Sequence, residues 1–267
     1  VIAAGTSLPE LLVSASAAWD GSGAIAAGNV LGSNTFNLGF ILGLVALVAP
    51  IPTARQVLRV DWPFLLVATG GVALLLRDGL VDRPEGAFLL ASCAAFLGFS
   101  VWYARRVMPA DEAPEAEPPP AHPGRTAVGL ALAFVALGIG ARWFVDGAAG
   151  LARGLGWTER VIGLTVVSAG TGAPEVVASL VAARKGRHDM AVANVIGSNV
   201  FNLLGILGTA ALVRPLAVPD LRADVAVTLG FTVALGPVLW FQRQITRPEG
   251  ALLLGAWGLY TAWLVAG

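Results

Sequence analysis

Charge is scarce in this sequence. Asp, Glu, Lys and Arg make up 13% of the 267 residues, where a soluble domain carries about 25%. With 56% hydrophobic residues and a mean hydropathy of +0.76, the chain lacks the polar surface that a water-soluble domain of this length needs. The 17 basic and 17 acidic residues cancel, so no net field draws in nucleic acid or acidic partners. Cysteine occurs once, at Cys93 in a small-residue run, which excludes an intrachain disulfide and reads as packing. The only histidines, His122 and His188, fall in a linker and a loop, which argues against a zinc or copper centre. Ten-residue segments of alternating polarity, the mark of a membrane β-barrel, are missing. So are an HExxH pair, a GxSxG turn and an intramembrane histidine base, and the chain does not read as an enzyme.

What remains is a series of apolar runs at 36–49, 62–76, 87–101, 128–140, 176–183, 200–213, 225–241 and 251–266. With small and weakly polar neighbours several reach the ~20 residues of a bilayer-spanning helix. The runs predict helices over about 24–49, 60–78, 84–105, 125–151, 157–184, 187–213, 220–241 and 247–266, after a partial helix ending near Ala18. The chain is an all-α integral membrane protein, expected in the inner membrane of a prokaryotic cell.

An internal repeat organises it. "VIAAGTSLPE" at Val1 aligns with "VVSAGTGAPE" at Val166, and "GNVLGSNTFNLGFILG" at Gly28 with "ANVIGSNVFNLLGILG" at Ala193; both offsets are 165 (166 − 1 and 193 − 28). "RPEGA" recurs at Arg83 and Arg247, an offset of 164. A register held across helices and loops means two homologous halves. Residues 1–105 form the first, truncated at its N-terminus, and 125–267 the second. Between them, 106–124 is a Pro- and acid-rich flexible linker. Residues 125–165 have no counterpart ahead of the first motif, so a first helix and the start of a second are expected upstream. Each half then holds five spans. Five is odd, so the halves sit in opposite orientations, the inverted-repeat design of many secondary transporters. Alternating sides groups ten basic residues, Arg55, Arg243 and Arg247 among them, on one side and seven, Arg77 and Arg214 among them, on the other. That excess is expected on the cytoplasmic side.

The two repeated motifs carry the chemistry. Pro9 and Pro174 cannot donate to the carbonyls of Gly5 and Gly170, and freed carbonyls persist in a membrane only where they face protein, water or an ion. Beside them stand Glu10 and Glu175, with no Lys or Arg in either motif. A carboxylate in mid-bilayer needs a compensating charge, and a bound cation can supply it. Thr6 lies four residues and Ser7 three before Glu10, on one helix face, and Ser33 and Asn37 share a face of the next helix. Thr171 with Glu175, and Ser198 with Asn202, repeat the pattern. Carboxylates, hydroxyls, amides and carbonyls are the oxygen donors that Ca²⁺ prefers. For Asn29, Asn34, Asn194 and Asn199, interhelical hydrogen bonding and ligation both stay open. Gly28 with Gly32, and Ala193 with Gly197, read as close-packing pairs. Asp61 and Asp224, near helix starts, are expected in interface solvent or at a helix dipole, and Asp146 in an ion pair with Arg142.

"GTSLPE" with "GNVLGSNTFN" resembles the α-repeats of the sodium/calcium exchangers, in the cation/calcium antiporter superfamily, and the likeness covers both halves and the linker. It implies a ten-helix fold with ion-binding helices at its centre, and a secondary antiporter exchanging Ca²⁺ for Na⁺ by alternating access, with no resident cofactor. By this likeness Glu10 and Glu175 ligate Ca²⁺ and compete for Na⁺, with Thr6, Ser7 and Thr171 beside them. Ser33 and Ser198 supply sodium-site hydroxyls, Asn37 and Asn202 close the centre, and Ala3 and Ser168 contribute backbone carbonyls. Gly172 stands where the family has serine, and Asn202 where some relatives have aspartate. Coupling to H⁺ or K⁺ is therefore the alternative within transport. A passive cation channel, which needs no counter-ion, is the alternative outside it.

Overall fold

The computed structural model describes residues 5–107, 122–218 and 220–266. Its elements are α1 (Leu8–Trp19), α2 (Gly23–Val48), α3 (Val57–Asp78) and α4 (Arg83–Arg106), then α5 (Pro123–Gly154), α6 (Glu159–Thr171), α7 (Ala173–Arg184), α8 (Ala191–Val213), α9 (Arg222–Gln242) and α10 (Arg247–Ala266). Helix dominates because a chain in lipid must satisfy its backbone hydrogen bonds within itself. Among the described residues six helices are long and apolar enough to cross a membrane, and α6 with α7 makes a seventh if that pair is one span bent by 44°. The expected helix at 157–184 is therefore broken. The linker at 106–124 falls largely outside the described residues, as does Ala3.

Burial follows the repeat. The apolar windows of α2 and α8 are 83% and 78% buried, those of α3 and α9 39% and 44%, and those of α4 and α10 17% each. The helices bearing the GSN motifs are therefore the centre, and α4 and α10 are peripheral. Their outer faces carry Phe88, Trp102, Leu252 and Leu259, all exposed, as side chains facing lipid should be.

The halves interlock. The recurring RPEGA segment begins α4 and α10. Asp82 accepts the Glu85 N–H at 2.9 Å while Glu85 accepts the Asp82 N–H at 2.9 Å, a reciprocal cap, and Glu249 accepts the Thr246 N–H at 2.7 Å. The glycine of each segment then meets the other half. A methyl on Gly43 would lie 2.8 Å from the Gly250 carbonyl, and one on Gly208 would lie 2.9 Å from that of Gly86. So α10 packs on α2 and α4 on α8 with backbones in contact.

Two small antiparallel pairs tie the ends. β1 (Ile51–Pro52) pairs with β4 (Gln244–Ile245), and β2 (Leu80–Val81) with β3 (Leu216–Ala217). Each joins one half to the other. Three of the basic residues, Arg243, Arg247 and Arg214, sit at these ends. Thr53 donates to the Arg243 carbonyl at 2.9 Å and Arg247 reaches that of Val48 at 3.5 Å, while at the opposite end Arg214 reaches the Trp19 carbonyl at 3.4 Å.

Candidate cation site

Both repeated motifs stop a helix and restart it. Ser7 (φ −84°, ψ 10°) and Gly172 (φ −78°, ψ 0°) leave the helical region, and the next helices, α1 and α7, carry Pro9 and Pro174 in their first turn. Proline is tolerated there because first-turn N–H groups have no helical partner. This corrects the picture of a proline inside a continuous helix. The break also places Glu10 and Glu175 in the first turns of α1 and α7, where the positive end of the helix dipole favours a carboxylate. Both are buried, at 2% and 0% exposure.

The hydroxyls cross between halves. Ser7 Oγ donates to Glu175 Oε1 at 2.8 Å, and Thr6 and Ser198 also hydrogen-bond the Glu175 side chain. Thr171, on the Glu10 side, places its Oγ1 3.3 Å from Asn29 Oδ1 and donates to the Val167 carbonyl at 3.0 Å. Thr6 and Ser7, expected on the face of their own Glu10, thus serve Glu175 in the other half. The two carboxylates lie within electrostatic reach of each other. One asymmetry is written in the sequence. Ser7 has a hydroxyl where its counterpart Gly172 has none, and a methyl on Gly172 would sit 2.9 Å from the Ser168 carbonyl and 3.1 Å from the Phe36 ring. The serine expected at 172 is replaced where space is short.

Asn37 and Asn202 lie in equivalent π-helical turns, Phe36–Ile41 and Phe201–Ile206. Such widened turns recur at functional sites. Asn37 Nδ2 donates to Asn199 Oδ1 at 2.8 Å. Asn34 and Asn199 each give their amide to the other's backbone carbonyl, at 3.1 and 3.2 Å, and hold α2 to α8. Ser33 Oγ lies 3.4 Å from Asn29 Oδ1. The Ser168 carbonyl accepts the Gly172 N–H at 3.0 Å, and its hydroxyl bonds the Leu164 carbonyl at 2.8 Å. Every predicted site residue except Ala3, which is outside the described residues, is thus on α1, α2, α8 or the broken α6–α7 segment, or beside a break.

The centre is short of donors. Among the described residues eleven buried side-chain N and O atoms have no hydrogen-bond partner, and five of them are Glu10 Oε2, Glu175 Oε2, Asn37 Oδ1 and both polar atoms of Asn202. A buried polar atom left without a partner costs about 1–3 kcal/mol, so their concentration on these four residues needs a functional reason. Four of the five are oxygens that can ligate a hard cation. No group of three or more His, Cys, Asp and Glu forms among the described residues, in keeping with a donor set completed by hydroxyls, amides and carbonyls.

Several residues took other roles. Asp224 is fully buried rather than solvated; Arg160 donates to both its oxygens at 2.8 and 2.9 Å, and Tyr260 Oη donates at 2.8 Å. Asp61, 7% exposed, is buried too. Interface solvation fails for both, because the bundle folds these helix starts inward, whereas the other expectation, a helix dipole, holds for Asp224, which lies in the first turn of α9. Arg142 and Asp146 pair at 3.7 Å as expected, on the surface. Gly28 and Gly32 do serve close packing: a methyl on Gly32 would lie 2.5 Å from the Leu164 carbonyl of α6. Sequence reasoning passed over Ser14 and Ser179, although they keep the 165-residue register (179 − 14). It could not find Arg160 and Tyr260 as partners of Asp224, since they lie 64 and 36 residues from it in the sequence.

The model of the sodium/calcium exchanger protein family matches residues 1–102 and 125–266. The protein CaxA of Alkalimonas amylolytica is 36% identical over 265 residues, covering 96% of this chain and 83% of its own. The sodium/calcium exchanger MaX1 of Methanosarcina acetivorans is 29% identical over 305 residues, covering 99% of this chain and 86% of its own. A solved structure of the sodium-calcium exchanger NCX_Mj superposes with a TM-score of 0.77 at 30% identity, covering 98% of this chain and 84% of that one. With its repeat, its interlocked halves and its oxygen-lined centre matched over nearly the whole length, this multi-pass membrane protein belongs to the sodium/calcium exchanger family.

Proposed function

We propose that this chain is a secondary antiporter that moves Ca²⁺ against Na⁺ by alternating access, with 1–105 and 125–267 as its two working halves and 106–124 as their tether. The reading is carried by the unpartnered oxygens of Glu10, Glu175, Asn37 and Asn202 at the meeting point of the halves. Ca²⁺ takes six to eight oxygens with tolerant geometry, and two carboxylates balance its charge. Na⁺ uses overlapping ligands: the Thr6, Ser7 and Ser198 hydroxyls around Glu175 and the Thr171 hydroxyl near Glu10, with carbonyls at Ala3 and Ser168. Occupancy by one ion then disfavours the other. Coupling follows if the halves rearrange only when bound cations neutralise both carboxylates, since a ligand shifts a conformational equilibrium only by its differential affinity for the two states.

The test is ⁴⁵Ca²⁺ uptake into reconstituted vesicles under outward Na⁺, K⁺ or H⁺ gradients imposed one at a time, with Glu10→Gln and Glu175→Gln alongside. Na⁺-driven uptake lost in both variants is expected. Uptake indifferent to every gradient points to a channel and sinks the exchanger reading. Gly172 and Asn202 favour one second reading, coupling to H⁺ or K⁺, which uptake driven only by those gradients would establish.

A further inference from the structure

The two halves carry the same polar residues at their centre but do not make the same bonds. In the first half Asn29 Nδ2 donates to the Glu10 backbone carbonyl at 3.3 Å and to Ser14 Oγ at 2.9 Å. The equivalents 165 residues on are Asn194, Glu175 and Ser179 (194 − 29, 175 − 10, 179 − 14). There both polar atoms of the Asn194 side chain and Ser179 Oγ are buried without any partner. The same break recurs one turn deeper. Asn37 Nδ2 bonds Asn199 Oδ1 at 2.8 Å, yet in the mirror pair Asn202 Nδ2 and Asn34 Oδ1 are both unpartnered. Only the Asn34–Asn199 exchange of amide and backbone carbonyl is made both ways.

The bonding residues themselves are identical in the two halves, so their own chemistry does not account for the difference. Conformation does. Closing a buried amide onto its acceptors is favourable, and leaving it open is costly. Where inverted halves of one composition adopt unlike arrangements, the reverse arrangement has nearly the same internal energy and exchanges their roles. We infer that Asn29–Ser14 and Asn194–Ser179 are alternating latches, closed one at a time, with Asn37–Asn199 and Asn202–Asn34 changing over with them. The latch holds the carbonyl of the liganding glutamate, so closing it fixes α1 against α2, and releasing its twin frees α7 from α8. Asn29 and Asn194 are on this account positioning residues that set which half is locked, and the inference rests on the alternating-access reading.

Hydrogen–deuterium exchange of the detergent-solubilised chain, read by mass spectrometry on peptides from α1 and α7, tests it without any transport assay. In Asn29→Ala the open first latch should speed exchange in α1 about five-fold, the effect of one lost buried hydrogen bond. The same substitution should slow exchange in α7, as the second latch closes more often. Asn194→Ala should leave α1 as protected as in the parent, or more so, and bring no protection to α7. Ser14→Ala and Ser179→Ala remove one acceptor each and provide the same comparison should the asparagine variants misfold. A merely structural role would loosen only the substituted half. Faster exchange in α1 with α7 unchanged or also faster would therefore overturn the latch pair. ⁴⁵Ca²⁺ uptake by the parent protein separates the two ideas: absent uptake with reciprocal protection refutes exchange but keeps the latches, and the converse refutes the latches alone.

Discussion

Replacing Arg160 by alanine should destabilise the protein by stranding a buried carboxylate. Asp224 is fully buried, and Arg160, 28% exposed in its side chain, holds both its oxygens at 2.8 and 2.9 Å. Two unit charges about 4 Å apart in a medium of effective dielectric 20 attract by about 4 kcal/mol. Stranding the buried partner of such a pair typically costs about 3–5 kcal/mol. Tyr260 still donates one hydrogen bond at 2.8 Å, which places the expected loss near the lower bound, at about 3 kcal/mol. The penalty comes from the orphaned charge rather than from the missing contact. The double variant Arg160→Ala with Asp224→Asn should therefore recover most of the loss, because it buries no net charge. The assay is thermal unfolding in detergent of the two single variants, the double and the parent, read as a double-mutant cycle. A loss below about 1 kcal/mol for Arg160→Ala, the range of exposed ion pairs, would show that Asp224 is not stranded and refute the reasoning. Because Arg160 opens α6, which carries Ser168 and Thr171, the same variant should also weaken ion binding.

Other expectations follow from the centre. Gly172→Ser gives Glu10 the hydroxyl that Ser7 gives Glu175; its Cβ meets the Ser168 carbonyl at 2.9 Å and the Phe36 ring at 3.1 Å, so the variant should lose some stability, and where the break shifts to admit it the half-saturating Na⁺ concentration should change by about five-fold, the worth of one hydrogen bond, in flux assays. Gly32→Val meets the Leu164 backbone carbonyl, which cannot move aside as a side chain could, and should lower the melting temperature sharply, whereas substitution at Gly98, with nothing nearby, should not. Asn202→Asp adds a third carboxylate beside unpartnered atoms and should lower the half-saturating Ca²⁺ concentration in uptake assays. Acid should inhibit Ca²⁺ uptake in the parent, since a protonated Glu10 or Glu175 no longer offers its charge; uptake unchanged between about pH 5 and 8 would refute competition at the carboxylates.

Much of this molecule is determined by local physical chemistry and was legible residue by residue. Apolar length alone places α2, α3, α4, α8, α9 and α10, because a span must reach ~20 apolar residues to cross the bilayer. The 165-residue register identifies Glu10 with Glu175 and Asn37 with Asn202, and a carboxylate beside a proline, without any basic neighbour, already calls for a cation. Proline marks where each helix is interrupted. Tertiary structure decided what spacing cannot: which half serves which. That Ser7 and Thr6 serve Glu175 rather than Glu10 depends on how two inverted halves cross, a relation between residues 168 positions apart in the case of Ser7. The burial of Asp224 against Arg160 and Tyr260 depends likewise on three helices meeting. So does the unequal bonding of Asn29 and Asn194. Asn29 and Asn194 are the same residue in the same motif, and the packing around them selects which amide is closed and which is open.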